Sequence, residues 1–343
     1  MSNRRWQHVW RLLPLLVVLT LLLTGCGDPY LSALTPSGPV ADQQLSLMKI
    51  SIGVMIFVFV VVMIIFTYVL VRYRKRPGQE GIPKQVEGSH TLEIIWTTIP
   101  IILLIVIAIP TVSTTFALAK DHWNDPDAIK VKVTGHQFWW EFEYPDLGVT
   151  TAQDLHIPVG KKIALQIGSK DVIHSFWVPA LAGKIDANPG NINSMWMQAD
   201  KVGVFKGKCA ELCGYSHALM DFKVIAEDPA DFDKWIAGMK AAETAKPTAS
   251  TQLGQQVYEA NCLACHAIGG QGGKVGPNLT DFGDRQTIAG YLDHNADELK
   301  RWISNPDEVK TGAKVKMPAF GDKLKPEEMD ALVDYLMGLK INQ

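Results

Sequence analysis

Five cysteines fall into three short motifs, and each motif gives its sulfur atoms a different chemistry. They are Cys26, Cys209, Cys213, Cys262 and Cys265. The first ends a Leu-Thr-Gly-Cys signature of lipid attachment, and the last two belong to a Cys-x2-Cys-His motif that attaches a c-type haem. The middle pair opens a Cys-x3-Cys-x3-His-x2-Met run, whose thiolate, imidazole and thioether groups suit copper. With no cysteine left for a disulfide, the motifs predict membrane-tethered electron transfer.

The copper motif supplies two thiolates, one imidazole and one thioether within twelve residues. Electron-transfer copper sites also need a second imidazole, and His174, at a predicted strand end 35 residues before Cys209, can supply it. Two thiolates can bridge two copper ions, each with one histidine. The methionine is then an axial ligand to one ion, and a backbone carbonyl serves the other. The predicted ligands are His174, Cys209, the carbonyl of Glu211, Cys213, His217 and Met220.

A structural zinc ion is the alternative for a site with two cysteines and two histidines. The adjacent Met220 and the distant His174 favour copper. Two other histidines, His136 and His156, are interpreted as strand or interface residues rather than ligands. The aromatic segment 135–144 is either packed core or an electron-accepting surface, and its pattern favours the core.

In the haem motif, the two cysteines are predicted to form thioethers to the porphyrin, and His266 is predicted to bind the iron. The sixth iron ligand is expected to be a methionine well downstream. Met317, in a Lys-Met-Pro sequence, is the best placed. Met329 and Met337 fall inside the last predicted helix and are assigned to its core.

The first 120 residues hold three long apolar stretches. Residues 1–25 are predicted to be a lipoprotein signal peptide that is cleaved before Cys26, and an uncleaved anchor is the alternative. Residues 26–120 are predicted to form a lipid-anchored hairpin. Its two transmembrane helices are predicted over residues 50–71 and 94–119. The basic run at 72–76 should stay in the cytoplasm, so both termini are expected on the exterior of a bacterial cell membrane.

The rest of the chain changes pattern twice. Residues 121–239 are predicted to form one domain, in which residues 129–227 contain alternating apolar and polar segments with frequent Pro and Gly, a pattern that indicates an antiparallel sandwich or barrel. Residues 240–252 have the polar, Ala- and Thr-rich composition of a linker. Residues 253–343 show helical periodicity, with helices predicted over 254–264, 296–304 and 326–339. The predicted fold is therefore multi-domain, with a transmembrane hairpin, an all-β domain and an all-α domain. The net charge of −2 argues against a nucleic-acid partner.

Together these motifs resemble subunit II of haem–copper cytochrome c oxidases, in the bacterial caa3-type form with a cytochrome c fused at the C-terminus. The resemblance covers residues 26–343. It rests on the copper loop, the haem motif, Glu93-Ile-Ile-Trp-Thr-Thr-Ile-Pro, Gly135-His-Gln, His174-Ser-Phe and Lys184-Ile-Asp-Ala-Asn-Pro-Gly. It implies a cupredoxin-like domain that holds binuclear copper A on the ligands above. It also implies a class I-like cytochrome c domain with one covalent haem c.

The resemblance also implies roles for residues outside these two centres. The carboxylate of Glu211 would help bind magnesium at the contact with subunit I. Glu93 would lie at the mouth of a proton path into subunit I, whereas its position alone indicates a helix-end charge facing the cytoplasm. The aromatic residue that follows Gly-His-Gln and accepts electrons from cytochrome c is usually a tryptophan, and here it is Phe138. Trp139 or Trp140 could replace it, or the tethered haem could deliver electrons by another route.

The implied function is that of cytochrome c oxidase subunit II, the electron-input subunit of a proton-pumping terminal oxidase. Electrons would pass from a reduced donor to haem c, then to copper A, then to subunit I, where oxygen is reduced to water. The expected partners are subunits I and III, an external cytochrome c or other donor, and membrane lipid. The alternatives are a copper A subunit of a nitric oxide or nitrous oxide reductase, a copper-delivery lipoprotein, and a quinol oxidase subunit, whose relatives lack these copper ligands.

Overall fold

The computed structural model describes residues 13–14, 16–20, 27–78, 80–82, 85–242 and 252–341. The predicted lipidation site Cys26, most of the predicted signal peptide and residues 243–251 of the predicted linker lie outside these ranges.

Two long helices, α1 (Pro39–Tyr73) and α2 (His90–Leu118), contact each other near the N-terminus of the chain. Apolar side chains are exposed along both, and each helix is long and apolar enough to cross a membrane. The predicted transmembrane hairpin is therefore confirmed. Helix α1 begins eleven residues before the predicted span, and its first turn packs on the β domain, where the Ala41 N–H donates to the Leu181 carbonyl at 3.2 Å. Pro100 and Pro110 lie inside α2, which continues through both as one helix.

Ten strands follow: β1 (Ile129–His136), β2 (Trp139–Tyr144), β3 (Val149–Ala152), β4 (Asp154–Pro158), β5 (Ile163–Ser169), β6 (His174–Trp177), β7 (Lys184–Ala187), β8 (Asn193–Met197), β9 (Gly203–Cys209) and β10 (Asp221–Glu227). They form two five-stranded sheets, in the orders β3-β2-β1-β5-β8 and β4-β10-β9-β6-β7. The predicted alternation is present in β2, where Trp140, Phe142 and Tyr144 are fully buried. The predicted cupredoxin-like all-β domain is confirmed.

The prediction of a purely antiparallel arrangement is wrong for both sheets. Strand β1 pairs with β5 in parallel, and β4 pairs with β10 in parallel. The chain crosses to the second sheet at β4 before it returns to place β5 beside β1, and this crossover lets both strands run in the same direction. Short alternating segments show which face is buried but not the direction of the neighbouring strand, so the sequence could not reveal it.

Helix α3 (Pro229–Ala242) closes the open end of the β domain. Its Trp235 stacks on His156 with a centroid distance of 4.2 Å and lies 5.6 Å from the ring of Tyr144. The predicted linker 240–252 is therefore too long at its start, because residues 240–242 form the last turn of α3. The buried side chains of this helix recur at helical spacing along one face and are Phe232, Trp235, Ile236 and Met239.

The C-terminal domain is built from α4 (Gln252–Asn261), α5 (Ala296–Ser304), α6 (Pro306–Val309) and α7 (Pro326–Met337), with short ribbons at β11 (Ala267–Ile268), β12 (Gln271–Gly272), β13 (Thr287–Ile288) and β14 (Leu292–Asp293). Helices α4 and α7 cross at Gly254, where any Cβ would collide with the backbone of Ala331. The rings of Tyr258 and Tyr335 lie 5.8 Å apart beside this crossing. The predicted all-α domain is confirmed.

The C-terminal domain packs directly on the β domain. The hydroxyl of Thr151 donates to Oδ2 of Asp281 at 3.0 Å, and the Gln286 N–H donates to Oδ2 of Asp154 at 2.8 Å. A third contact joins residues 310–314 to the loop that follows β9 and to Gln137, which lies between β1 and β2. This last contact brings the two groups of predicted ligands to opposite sides of one interface.

Candidate copper and haem sites

The loop between β9 and β10 gathers the predicted sulfur and nitrogen ligands. The Sγ atom of Cys209 is 3.8 Å from Sγ of Cys213 and 3.9 Å from Nδ1 of His174. The Sγ atom of Cys213 is 3.5 Å from Nδ1 of His217 and 3.7 Å from Sδ of Met220. The ligand atoms of His174 and the two cysteines all lie within 4.8 Å of one another. Side chains that are 46 residues apart in sequence thus converge on one small volume.

Backbone geometry closes this loop. The N–H of Cys209, the last residue of β9, donates to the Met220 carbonyl at 3.2 Å. Gly214 has a φ of 135°, a conformation that other residues rarely adopt. The carbonyl oxygen of Glu211 lies 3.3 Å from Sγ of Cys209, where the predicted axial carbonyl should be, and the Glu211 side chain is exposed.

His174 is the first residue of β6, and its side chain is fully buried. Its Nε2 donates to Oδ1 of Asp171 at 2.8 Å, so that Nδ1 points to the sulfur atoms. Gly135 on the neighbouring sheet leaves room for the ring, because a Cβ there would lie 2.7 Å from Cδ2 of His174. A carboxylate that fixes the second nitrogen is the usual support of a metal-binding histidine.

The electrostatics of the cluster favour a bound cation. Hydrogen bonding between the two sulfurs lowers the pKa of Cys209, and the same contact together with burial raises the pKa of Cys213. Burial is the largest single effect on His174 and lowers its pKa, but the hydrogen bonds and charges of Asp171 and Cys209 together outweigh it, so the pKa is raised. One thiolate therefore forms in the protein alone, and metal binding would be needed to deprotonate the second thiol.

This donor set fits copper better than zinc. Met220 is fully buried with its thioether beside Cys213, and a thioether is a ligand for copper rather than for a closed zinc site. The paired strands β9 and β10 of one sheet hold the two ends of the loop, which suits a centre that must change charge without changing shape.

The predicted haem ligands line a cleft that is partly open to solvent. Its walls include Cys262, Cys265, His266 and Met317. The Nδ1 atom of His266 hydrogen-bonds to the Pro277 carbonyl at 2.9 Å, which leaves Nε2 for an iron ligand bond. Burial lowers the pKa of His266 and so favours the neutral imidazole that binds iron. The apolar walls include Val275, Leu279, Phe282, Ile288, Trp302 and Phe320.

The two thiols, the imidazole and the thioether around an apolar cleft fit a covalent haem c. Met329 is buried in the helical core and Met337 packs against it, and neither lines the cleft. Met317 thus remains the candidate for the sixth ligand.

The three aromatic residues after Gly-His-Gln occupy different environments. Phe138 is 3% exposed and lines the haem cleft, and Trp139 also lines it while stacking on His136 at 4.1 Å. Trp140 is fully buried in the sandwich, 5.4 Å from the ring of Phe176. Trp140 therefore offers no exposed edge for contact with an external donor, and its part in electron input stays a prediction.

Glu93 lies exposed in the first turn of α2, where its Oε2 is 3.6 Å from Nδ1 of His90. This is the helix-end position expected from the sequence, and its part in a proton path stays a prediction. His136 and His156 both stack on tryptophans, and His156 also bonds Oε1 of Glu227 at 3.0 Å. Neither belongs to the ligand cluster found among the described residues.

Sequence reasoning missed two residues at the domain interface. Lys310 is 8% exposed, its Nζ donates to the Phe138 carbonyl at 2.7 Å, and burial lowers its pKa to about 7. Gln137 bonds to both domains through its side chain. The Gly135-His-Gln motif contained Gln137 but gave it no role, and no pattern marks a lysine that becomes buried only when two domains meet.

Comparison with known proteins gives three family matches. Residues 32–114 match the transmembrane domain of cytochrome c oxidase subunit II, residues 148–227 match its periplasmic domain, and residues 251–340 match cytochrome c.

Curated relatives match along nearly the whole chain. "Cytochrome c oxidase subunit 2" of Alkalihalophilus pseudofirmus (strain ATCC BAA-2126 / JCM 17055 / OF4) is 51% identical over 98% of this chain and 98% of the relative. The protein of the same name from Bacillus sp. (strain PS3) is 49% identical over 97% of this chain and 98% of its own length. "Quinol oxidase subunit 2" of Bacillus subtilis (strain 168) is 38% identical, but over 66% of this chain and 73% of the relative.

Proposed function

Because the chain belongs to the cytochrome c oxidase subunit II family, we propose that it is the electron-input subunit of a proton-pumping terminal oxidase. Membership makes it a component of a haem–copper oxidase that associates with subunit I. The proposed route runs from a reduced donor through haem c and binuclear copper A to subunit I, which reduces oxygen to water. The chain itself carries no oxygen chemistry in this proposal.

When bound, haem c and copper A supply reversible one-electron chemistry, and the protein residues hold them in place. We assign copper A to His174, Cys209, the Glu211 carbonyl, Cys213, His217 and Met220. We assign haem c to Cys262, Cys265, His266 and Met317. Asp171 orients His174, and the paired strands β9 and β10 hold the loop ends, so the ligands need to move little when the charge changes.

One observation carries the proposal: the two sites meet at a single interface. Gln137 and Phe138 belong to the β domain, yet both line the haem cleft of the C-terminal domain. The Nε2 atom of Gln137 also donates to the carbonyl of Cys213 at 2.6 Å. Because both domains belong to one chain, transfer between them should be first order and independent of free carrier.

The membrane arrangement and further partners belong to the same proposal. The basic run at 72–76 would keep the α1–α2 turn in the cytoplasm, with both termini and both redox domains on the exterior. Cys26 would carry a lipid, and Glu93 would face a proton path in subunit I. The exposed carboxylate of Glu211 would contribute to a magnesium site shared with subunit I. Subunit III and an external cytochrome c complete the expected assembly.

The donor distinguishes this proposal from a quinol oxidase. We expect a complex lacking residues 251–343 to reduce oxygen normally when a small reductant reduces copper A directly, but to oxidise the natural donor slowly. Oxygen uptake by the full and truncated complexes, with each reductant, measures both steps. If the truncated complex oxidised the donor as fast as the full one, the haem domain would not be the site of electron input, and Trp139 would regain that role.

The number of copper ions bound per chain tests the proposal that the copper centre is binuclear. A fragment of residues 121–242 keeps α3, whose Trp235 covers Tyr144, and should bind two copper ions per chain. Its mixed-valence electron paramagnetic resonance spectrum should show coupling to both nuclei, and Cys209→Ser should abolish that signal or leave one copper. A single copper in the wild-type fragment would contradict the binuclear assignment.

A further inference from the structure

The haem domain touches the copper loop through one short segment, residues 310–314. The hydroxyl of Ser216, in the loop, donates to the Thr311 carbonyl at 2.8 Å. Gly312, with a φ of 83°, lies so close to Tyr215 that a Cβ would be 2.5 Å from its ring. The segment and the loop are therefore in direct van der Waals contact, without space between them for a larger side chain.

Gln137 uses both ends of its carboxamide at this contact. Its Oε1 accepts from the Lys314 N–H at 3.1 Å, and its Nε2 donates to the Cys213 carbonyl at 2.6 Å. Its backbone N–H donates to Oδ2 of Asp171 at 2.6 Å, and the other oxygen of that carboxylate holds His174. One residue thus contacts the haem domain, a cysteine of the copper loop and the carboxylate of Asp171 that supports His174.

The loop is shaped to receive this side chain. Gly214 lies against the amide, and a Cβ at that position would be 3.0 Å from Nε2 of Gln137 and 3.0 Å from the ring of Phe138. On the haem side, Lys314 precedes Met317, which lines the cleft, by three residues. Two hydrogen bonds and three peptide units therefore connect the proposed iron ligand to the proposed copper ligand.

We propose that Gln137 is a positioning residue that couples the haem domain electronically to the copper loop through its two amide hydrogen bonds. The inference rests on the proposed function. In the step concerned, one electron leaves the ferrous haem, which becomes ferric, and the oxidised copper centre gains that electron. The amide moves no atom and no proton. It adds a hydrogen-bonded connection beside the contacts of Ser216 with Thr311 and of Tyr215 with Gly312.

The test compares Gln137→Met with Thr151→Val in the complete, metal-loaded oxidase complex. The first variant keeps side-chain length but removes both amide hydrogen bonds. The second removes an interdomain hydrogen bond to Asp281 that leads to neither centre. One hydrogen bond changes a docking equilibrium by roughly 2- to 10-fold, so both variants loosen docking to a comparable extent. Haem-to-copper transfer is followed by rapid kinetics after photochemical reduction of the haem.

Weaker docking explains a decrease in the transfer rate of up to roughly tenfold. We expect Gln137→Met to slow the transfer by more than this factor and Thr151→Val to slow it by less. Hydrogen exchange should show a less protected Lys314 amide in Gln137→Met only, and the mixed-valence copper spectrum should be unchanged in both variants. Lys314→Pro removes the donor from the haem side without touching the β domain, and should slow transfer in the same way.

Equal slowing by Gln137→Met and Thr151→Val would reduce Gln137 to a docking contact and overturn the inference. An unchanged rate in both Gln137→Met and Lys314→Pro would also overturn it. A lost copper spectrum in Gln137→Met would make Lys314→Pro the deciding variant. Failure of the proposed function itself looks different: reduced haem would then not reduce copper A even in the wild-type complex.

Discussion

Lys310 offers the sharpest test of how the two soluble domains meet. Its amine is nearly inaccessible to solvent and donates to the Phe138 carbonyl at 2.7 Å. Burial lowers the pKa of this amine from 10.5 to about 7, and the charges of Asp221 and Cys213 offset only part of that effect. At about 1.4 kcal/mol for each pH unit between these values, keeping this amine charged in the folded protein costs about 5 kcal/mol near neutral pH. We expect Lys310→Met to remove that cost and a hydrogen bond of about 1 kcal/mol.

The sign of the pH dependence follows from proton binding. Between about pH 7 and the ordinary pKa of 10.5, the folded protein binds fewer protons at Lys310 than the unfolded chain does. Its contribution to the free energy of unfolding is therefore greatest above the higher value and is lost as the pH falls towards 7. From about pH 7 to about pH 9 the wild-type protein should gain about 2 kcal/mol relative to Lys310→Met.

Urea unfolding of the full chain in detergent, followed by haem absorbance across that pH range, measures this difference. Lys300→Met is the matched control, because Lys300 is exposed and pairs with Asp330 at 2.6 Å. It should follow the wild-type pH dependence, while Lys310→Met should be more stable near neutral pH and lose that advantage as the pH rises. Parallel curves for wild type and Lys310→Met would show that the amine is not desolvated at the interface, and the reasoning would fail.

Three further predictions concern the haem domain and the anchor. Met317→Ala should leave the haem covalently attached but abolish the methionine–iron charge-transfer band. It should also lower the reduction potential of the haem, since methionine ligation raises that potential. An unchanged optical spectrum would assign the sixth ligand to another methionine, such as Met329. Gly254→Ala should destabilise the C-terminal domain by about 1–3 kcal/mol in urea unfolding, because a Cβ would collide with the backbone of Ala331 at the helix crossing. Equal stability of the variant and the wild-type protein would exclude that close approach. Cys26→Ser should impair signal processing more than membrane retention, because two apolar helices remain; mass spectrometry that finds an intact Met1 in the wild-type protein would contradict lipidation.

Much of the fold was predictable because the apolar side chains of its helices and strands recur with a clear periodicity. The apolar runs predicted both long helices, and the alternation at 140–144 predicted the buried face of β2. The helix predicted over 296–304 matches α5, which an asparagine cap at Asn295 begins. The parallel pairs of strands were not predictable, because pairing direction depends on where the chain crosses between sheets. The early start of α1 was also missed, since contact with the β domain, not apolar composition, fixes its first turn.

At the candidate sites, the metal ligands were predictable from the sequence. Short-range spacing identified the sulfur atoms, and ligand chemistry identified the need for His174, which the fold then places 3.9 Å from Cys209. The residues between the sites were not predictable. A glutamine and a lysine have no characteristic spacing, and the contacts of Gln137 with Lys314 and of Lys310 with Phe138 form only when the two domains pack.

The interface also explains how docking and electron input can depend differently on salt. The contacts that join the domains include hydrogen bonds from Thr151, Ser216 and the Lys314 backbone, which are not pairs of exposed opposite charges. Salt screens exposed charges and has little effect on such buried or neutral contacts. Transfer within the chain should therefore keep its rate as ionic strength rises. Arrival of electrons from an external donor depends on a surface encounter between two proteins, so salt should affect that step instead. Because the haem domain is docked on the copper domain within one chain, salt should screen the encounter with the external donor but not the electron transfer between the two domains.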